Sequence, residues 1–284
     1  MTELLKGAPV AEALNEKTRA LSSRLREKGI VPTLAILRIG ERRDDISYEK
    51  TARKRAESVG IAVRTSVLPE DTPAPAFFAA LDGLNADPSI HGILLFRPLP
   101  KGIDEDEARA RISPEKDVDG CTDASLAGVF TGSGVGFAPC TAEAAVSILE
   151  HYGIDCRGKR AVVLGRSLVV GRPAAMLLLH RNATVTLCHS HTGDAAALAR
   201  EADILLVATG RQESIGREYF REGQIVLDVG IHFSAEKGGL TGDVRREEAE
   251  ELVSAITPVP GGIGTVTTSV LLLHTALSAE RSTR

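Results

Sequence analysis

The chain has no tryptophan, and aromatic residues make up only 4% of its 284 positions. Nucleic-acid binding through bases stacked on aromatic rings is therefore unsupported. A net charge of −4 gives no reason to expect a polyanion as a general partner. No apolar run reaches the roughly 18 residues that would suggest a membrane span. The start, Met1 to Gly7, lacks the basic residues and apolar core of a secretory signal, so a cytoplasmic location is expected. Four cysteines occur, Cys121, Cys140, Cys156 and Cys188, with no C-x-x-C pair. Free thiols in a reducing compartment follow. Cys188-His189-Ser190-His191 invites a metal reading, but no second cluster has zinc-site spacing, and no metal is expected.

What is there is alternation. The length suits two domains of roughly 100–200 residues each. Val10, Leu14, Leu21 and Leu25 recur near helical spacing and predict a helix over 9–28. A strand over 33–38 runs to Gly40, and a helix over 45–59 closes on Gly60. A strand over 62–67, a helix over 74–86 and a buried-type strand over 92–96 follow, stopped by Pro98 and Pro100. This β-α-β-α-β order implies a parallel sheet with crossover helices. A helix over 142–151 carries the chain into a second series, with strands near 160–164, 184–188, 203–208 and 225–229. That is the alternation of a doubly wound nucleotide-binding domain. A last helix is predicted over 267–279. The expected architecture is α/β, with two domains and a cleft between them. An N-terminal parallel α/β sheet domain takes residues 1–140, joined by the C-terminal helix segment 267–284. A Rossmann-type doubly wound domain takes 141–266.

Two glycine-bearing stretches carry the chemistry. Gly165-Arg166-Ser167-Leu168-Val169-Val170-Gly171-Arg172-Pro173 directly follows the apolar run Ala161-Val162-Val163-Leu164. It departs from G-x-G-x-x-G, because Ser167 stands where the second glycine would be. An ordinary tight turn between strand and helix has the same look. Pro173 suits the first turn of a helix, and a helix N-terminus attracts phosphate through its N–H groups and dipole. Sites for NAD usually carry an acid about 20 residues after the glycines. Here that region reads Cys188-His189-Ser190-His191-Thr192, with no carboxylate. Arg166 with Ser190 suits a 2′-phosphate, which favours NADP, although Ser190 alone also reads as a helix N-cap. The second stretch, Thr257-Pro258-Val259-Pro260-Gly261-Gly262-Ile263-Gly264, is a rigid loop that can approach a flat ligand. Together they suggest a redox enzyme that lays a nicotinamide against a ring-shaped substrate.

With Ala183-Thr184-Val185-Thr186, Asp228-Val229-Gly230-Ile231, Gly242-Asp243-Val244, Lys116-Asp117-Val118-Asp119-Gly120 and Pro139-Cys140-Thr141, these motifs stand in a specific order. In that order the chain resembles, over nearly its whole length, the bacterial bifunctional methylenetetrahydrofolate dehydrogenase/methenyltetrahydrofolate cyclohydrolase family. The resemblance implies tetrahydrofolate derivatives as substrates, NADP as cofactor and a homodimer serving one-carbon metabolism and purine biosynthesis. Hydride would pass from 5,10-methylenetetrahydrofolate to NADP+, and water would open the methenyl cation to 10-formyltetrahydrofolate. It also implies that Tyr48 and Asp119 form the catalytic pair, Tyr48 packing on the folate and Asp119 binding the pteridine edge. Pro258, Gly261 and Gly262 would line the nicotinamide and pterin side. Gly165, Arg166, Ser167, Val170, Gly171, Pro173, Ser190 and Ile231 would hold the cofactor. Read without the family, Asp119 is also a turn residue before Gly120, and Tyr48 a half-buried helix residue.

The chain departs from the family at two linked places. The family has a lysine four residues after the tyrosine, on the same helix face; here that position is Ala52. Lys50 and Lys54 face away from Tyr48, and Arg55 returns to its face about 10 Å along the helix. The family's partner glutamine is Phe96 here, followed by Arg97, which alternation directs to the other strand face. Arg97 is the candidate replacement cation, provided it swings in from the strand end. Three hypotheses follow: the full bifunctional enzyme, a dehydrogenase with weak or absent cyclohydrolase activity, and a non-catalytic folate-binding relative. A short-chain dehydrogenase is disfavoured, since Y-x-x-x-K is absent at Tyr48 and the glycine turn lies beyond residue 160.

Overall fold

The computed structural model describes residues 2–283. The chain opens with β1 (Glu3–Leu4), α1 (Gly7–Glu27), β2 (Thr33–Ile39), α2 (Arg43–Ser58), β3 (Ala62–Leu68), α3 (Ala74–Ala86) and β4 (Gly92–Leu95). Helices α4 (Glu105–Arg111), α5 (Asp123–Thr131) and α6 (Cys140–His151) follow. Next come β5 (Arg160–Leu164), α7 (Gly171–His180), β6 (Thr184–Cys188), α8 (Ala195–Arg200), β7 (Ile204–Val207) and β8 (Ile225–Asp228). The chain ends with β9 (His232–Ser234), β10 (Gly239–Thr241), α9 (Arg246–Glu250), β11 (Ala255–Ile256) and α10 (Ile263–Arg281).

The chain splits into two compact units. One joins Glu12–Cys140 to the segment from Thr268 onward; the other joins the segment up to Ala11 to Thr141–Thr267. The first eleven residues thus group with the second half of the chain and not, as expected, with the first. The cause is strand pairing: Glu3 and Leu4 lie in parallel register with Ala255 and Ile256.

The Glu12–Cys140 unit holds a three-stranded sheet in the order β3-β2-β4. Both pairings are parallel. Every residue of the central strand is buried, as expected of an apolar run covered on both faces. The core gathers Leu37 and Ile93 from the sheet with Phe77 and Leu81 from α3 and Ala108 from α4. Helix α4 starts at Asp104, whose carboxylate accepts from the backbone N–H groups of Asp106 and Glu107. Helix α5 starts at Thr122, whose hydroxyl accepts from Ser125 N.

The other unit holds a six-stranded sheet in the order β1-β11-β8-β7-β5-β6. Its pairings are all parallel. Strand β5 lies between β6 and β7, so the strand order reverses there. Open α/β sheets bind ligands at the carboxyl ends of strands beside such a reversal. A short antiparallel hairpin, β9 with β10, stands apart from the large sheet.

Candidate active site

In the unit with the six-stranded sheet, the carboxyl ends of β5, β6 and β7 open onto a cavity of about 520 Å³. Leu164, Gly165, Arg166 and Ser167 line it after β5; Cys188, His189, Ser190 and Thr192 after β6; Ala208, Thr209 and Arg211 after β7. Two glycines make this turn possible. A Cβ at Gly165, whose φ is +124°, would collide with the Ala208 carbonyl oxygen, and one at Gly171 with the Gly165 carbonyl oxygen. Because Gly171 carries no Cβ, α7 can begin directly over the turn. Ser167 Oγ accepts from Val170 N at 3.1 Å and braces the loop. Two arginines face the cavity and no carboxylate is among its lining residues, so its field suits an anion. His189 is held below the usual histidine range, by desolvation first and then by Arg166 and His191.

The floor of the cavity is held from below. Asp243, fully buried, accepts from Thr209 N, Gly210 N and the Thr209 hydroxyl at 2.6, 2.8 and 2.9 Å. His232 Nε2 lies 2.7 Å from its other oxygen. Asp228 is pushed up to about 6, by burial first, while accepting from Gly230 N, Asp243 N and Val244 N.

In the Glu12–Cys140 unit, a second group of polar side chains gathers around Tyr48 and Asp119. Tyr48, on α2, keeps 45% of its surface exposed, while its hydroxyl end lies near the Thr268 side chain. Burial of the phenol, and then Asp119, raise its pKa. Asp119 sits in a turn closed by Gly120 N donating to Asp117 O at 3.1 Å. Gly120 takes φ +70°, and a Cβ there would collide with the backbone of Ala138 and Pro139. The buried Asp117 carboxylate fixes the same turn by accepting from Cys121 N and Thr122 N at 3.0 and 2.8 Å. Desolvation raises the pKa of Asp119, and Arg97 opposes it. Arg97 Nη2 stands 3.8 Å from Asp119 Oδ2. The ring of Phe96 meets Tyr48 edge-on, with centroids 5.6 Å apart. Ala52 is 1% exposed, while Lys50 and Lys54 are exposed.

Comparison with known proteins matches residues 5–119 to the tetrahydrofolate dehydrogenase/cyclohydrolase catalytic domain and 139–283 to that family's NAD(P)-binding domain. The chain belongs to this family. It is 48% identical over 274 residues to the bifunctional protein FolD of Alkaliphilus oremlandii, covering 96% of each chain. It is 47% identical to that of Carboxydothermus hydrogenoformans, covering 99% of this chain and 98% of the relative. Among solved structures, the FolD methylenetetrahydrofolate dehydrogenase/cyclohydrolase of Campylobacter jejuni superposes with a TM-score of 0.94 at 37% identity, with 99% of each chain covered. The Trypanosoma brucei FolD, solved with NADP and an inhibitor, gives 0.90 at 34% identity, covering 100% of this chain and 99% of that one.

Within this family member the cavity gathers four of the residues expected at the cofactor: Gly165, Arg166, Ser167 and Ser190. Val170, Gly171, Pro173 and Ile231 are not among its lining residues. Gly171 and Pro173 are buried at the start of α7 and shape the turn, whereas Ile231 is 60% exposed. Ser190 does not cap a helix; α8 is capped by Asp194, whose carboxylate accepts from Ala197 N. Pro258, Gly261 and Gly262 lie between β11 and α10, where Gly7 N donates to Gly261 O at 2.8 Å. The reading of the sequence missed Thr209 and Arg211. Their signal was their place just after the third strand of the second series, where a doubly wound sheet carries its ligand loops. It also missed Asp243 as the brace of that loop and Glu105 as a neighbour of Arg97. Among the described residues no cluster suits a metal ion, and no helix is long and apolar enough to cross a membrane.

Proposed function

We propose that the chain oxidises 5,10-methylenetetrahydrofolate with NADP+ and hydrolyses the methenyl product only slowly. Both activities belong to the family; the second step is the one for which this chain has exchanged residues. The observation that carries the cofactor choice is a cavity lined by Arg166, Arg211, Ser167 and Ser190 with no carboxylate. The glycine turn leaves room for a pyrophosphate at the start of α7, so the residues present fit NADP. Bound NADP+ supplies the hydride acceptor. The chain's own part is to place the two reactants, because hydride loss from the one-carbon bridge leaves a resonance-stabilised cation and asks mainly for alignment. Tyr48 would pack on the folate, and Asp119 would accept pteridine N–H bonds. Pro258, Gly261 and Gly262 would border the nicotinamide and pterin, and Val170, Gly171, Pro173 and Ile231 would complete the cofactor's surroundings.

Water attack needs a group that handles a proton. At the position one helical turn after Tyr48 stands a buried methyl, Ala52. A phenyl ring, Phe96, stands where the family's amide would be. Arg97 does reach Asp119, but a guanidinium stays charged and is a poor proton carrier. Glu12–Cys140 with the segment from Thr268 onward would form the folate domain, and Thr141–Thr267 with the segment up to Ala11 the cofactor domain, of a cytoplasmic homodimer feeding purine biosynthesis. Free thiols at all four cysteines agree with a reducing compartment. The test follows methylene- and methenyltetrahydrofolate separately during turnover with NADP+. Reduction of NADP+ with accumulation of the methenyl form supports the proposal. Release of 10-formyltetrahydrofolate as fast as NADPH appears refutes the slow second step.

A further inference from the structure

Arg97 is the least expected member of the Tyr48–Asp119 group. Strand β4 ends at Leu95, and Phe96 N still donates to Leu37 O at 3.0 Å. One residue later the chain leaves the sheet, so Arg97 is released from strand alternation. Its side chain is 26% exposed and lies between two carboxylates. Nη1 is 3.6 Å from Glu105 Oε1, and Nη2 is 3.8 Å from Asp119 Oδ2. Glu105 is itself held in place. It is the first residue of α4, and its Oε2 accepts from Leu99 N at 3.4 Å.

We propose that Arg97, anchored by Glu105, is a positioning residue that holds the Asp119 carboxylate for the edge of the pteridine ring. The inference rests on the folate reading of this site. Its logic is a division of labour. The backbone at Asp119 is fixed by the turn to Asp117 and by Cys140 N donating to Asp119 O at 3.3 Å. Those bonds fix only the backbone; the carboxylate itself is held by the Cys140 side chain on one hand and by the anchored guanidinium on the other. A planar, permanently charged fork suits this task better than an ammonium. Glu105 takes a share of the guanidinium, which leaves oxygen lone pairs of Asp119 for a ligand's N–H groups.

The same arrangement opposes the other groups around Asp119. Burial first, and then Asp117, disfavour its charged form, while Arg97 and the Cys140 side chain favour it. Tyr48 and Cys121 also feel its charge. Removing Arg97 therefore leaves a carboxylate that protonates at higher pH and points less consistently.

The experiment measures dehydrogenase kinetics of the full chain across pH for Arg97→Leu, Arg97→Lys and Glu105→Gln. Arg97→Leu should raise the KM for 5,10-methylenetetrahydrofolate by up to about fivefold, the range of a partly exposed ion pair, with a smaller change in kcat. The KM for NADP+ should stay put. The acidic limb of the kcat/KM profile should move to higher pH, and Arg97→Lys should recover part of both changes. Glu105→Gln keeps the cation but loosens it, and should raise the folate KM in the same direction by less. If Arg97→Leu does not fold, the Glu105→Gln result decides. An unchanged folate KM and an unmoved acidic limb in the folded variants overturn the inference. Failure of the parent chain to reduce NADP+ with this folate would instead overturn the functional reading beneath it.

Discussion

Arg166 is one of two arginines facing a cavity with no carboxylate among its lining residues. Removing it should separate the two nicotinamide cofactors. Arg166→Ala is expected to raise the KM for NADP+ far more than that for NAD+, by the loss of about 1.5–3 kcal/mol from one charge-assisted contact. Equal use of both cofactors by the unaltered chain would contradict the assignment. Asp119 asks for the opposite kind of test. Burial disfavours its charged form, and Arg97 opposes that shift. Asp119→Asn should abolish most dehydrogenase activity while circular dichroism and melting stay close to the parent. A stability loss of several kcal/mol would mark the carboxylate as structural instead. Both residues stand out in the sequence as candidates, because each sits beside a glycine in a short motif. Arg97 was legible only as a candidate. Alternation directs it to the other face of a strand, and the sequence, which carries the strand to 96 before the prolines, does not say how far the chain has turned by Arg97; in the structure the strand ends at Leu95.

Among the elements, α10 bears on the Asp119 turn through one buried histidine. His274 Nδ1 donates to Val118 O at 2.9 Å, and its ring stacks on Phe137 at 4.7 Å. Burial pushes its pKa down to about 4, with the bond to Val118 opposing. The folded chain therefore favours neutral His274, while the unfolded chain binds a proton near pH 6.5. The sign follows: this stability is complete above about pH 6.5 and is lost as pH falls toward 4, by about 3 kcal/mol in all. Thermal melts between pH 7 and 4 should show that slope. His274→Asn keeps a donor near Nδ1 and cannot titrate, so its slope should be shallower by this amount. An unchanged slope would remove His274 as the cause. Strands β2 to β8 were readable as short apolar-rich runs set between helical stretches, and α1 by the helical spacing of its apolar residues. Helix α4 was not: it is short and charged, and its one buried residue, Ala108, makes no stripe. Helix α10 begins at Ile263 rather than near 267, because Gly262 and Gly264 read as loop. β1 escaped notice because a two-residue strand has no period, and its partner lies some 250 residues away in sequence.

For the molecule as a whole, two reactions place different demands on one set of residues. Hydride transfer asks for alignment, and the groups that would align the reactants are present. Water attack asks for a proton-handling group, and general acid–base assistance is typically worth about 100- to 10,000-fold. Cyclohydrolase activity is expected to fall by something in that range relative to a chain with the lysine and glutamine. Restoring them one at a time should do little. Ala52 is 1% exposed, so a lysine there must carry its charge out past Tyr48, where the Phe96 ring lies edge-on at 5.6 Å. A buried, unpaired ammonium is expensive, so Ala52→Lys alone should lower the melting temperature and gain little hydrolysis. Phe96→Gln alone supplies an amide with no lysine to hold. The double change opens the path and provides the partner, so its gain in methenyltetrahydrofolate hydrolysis should exceed the sum of the single gains. Additive single effects would mean that the two positions do not act as a unit.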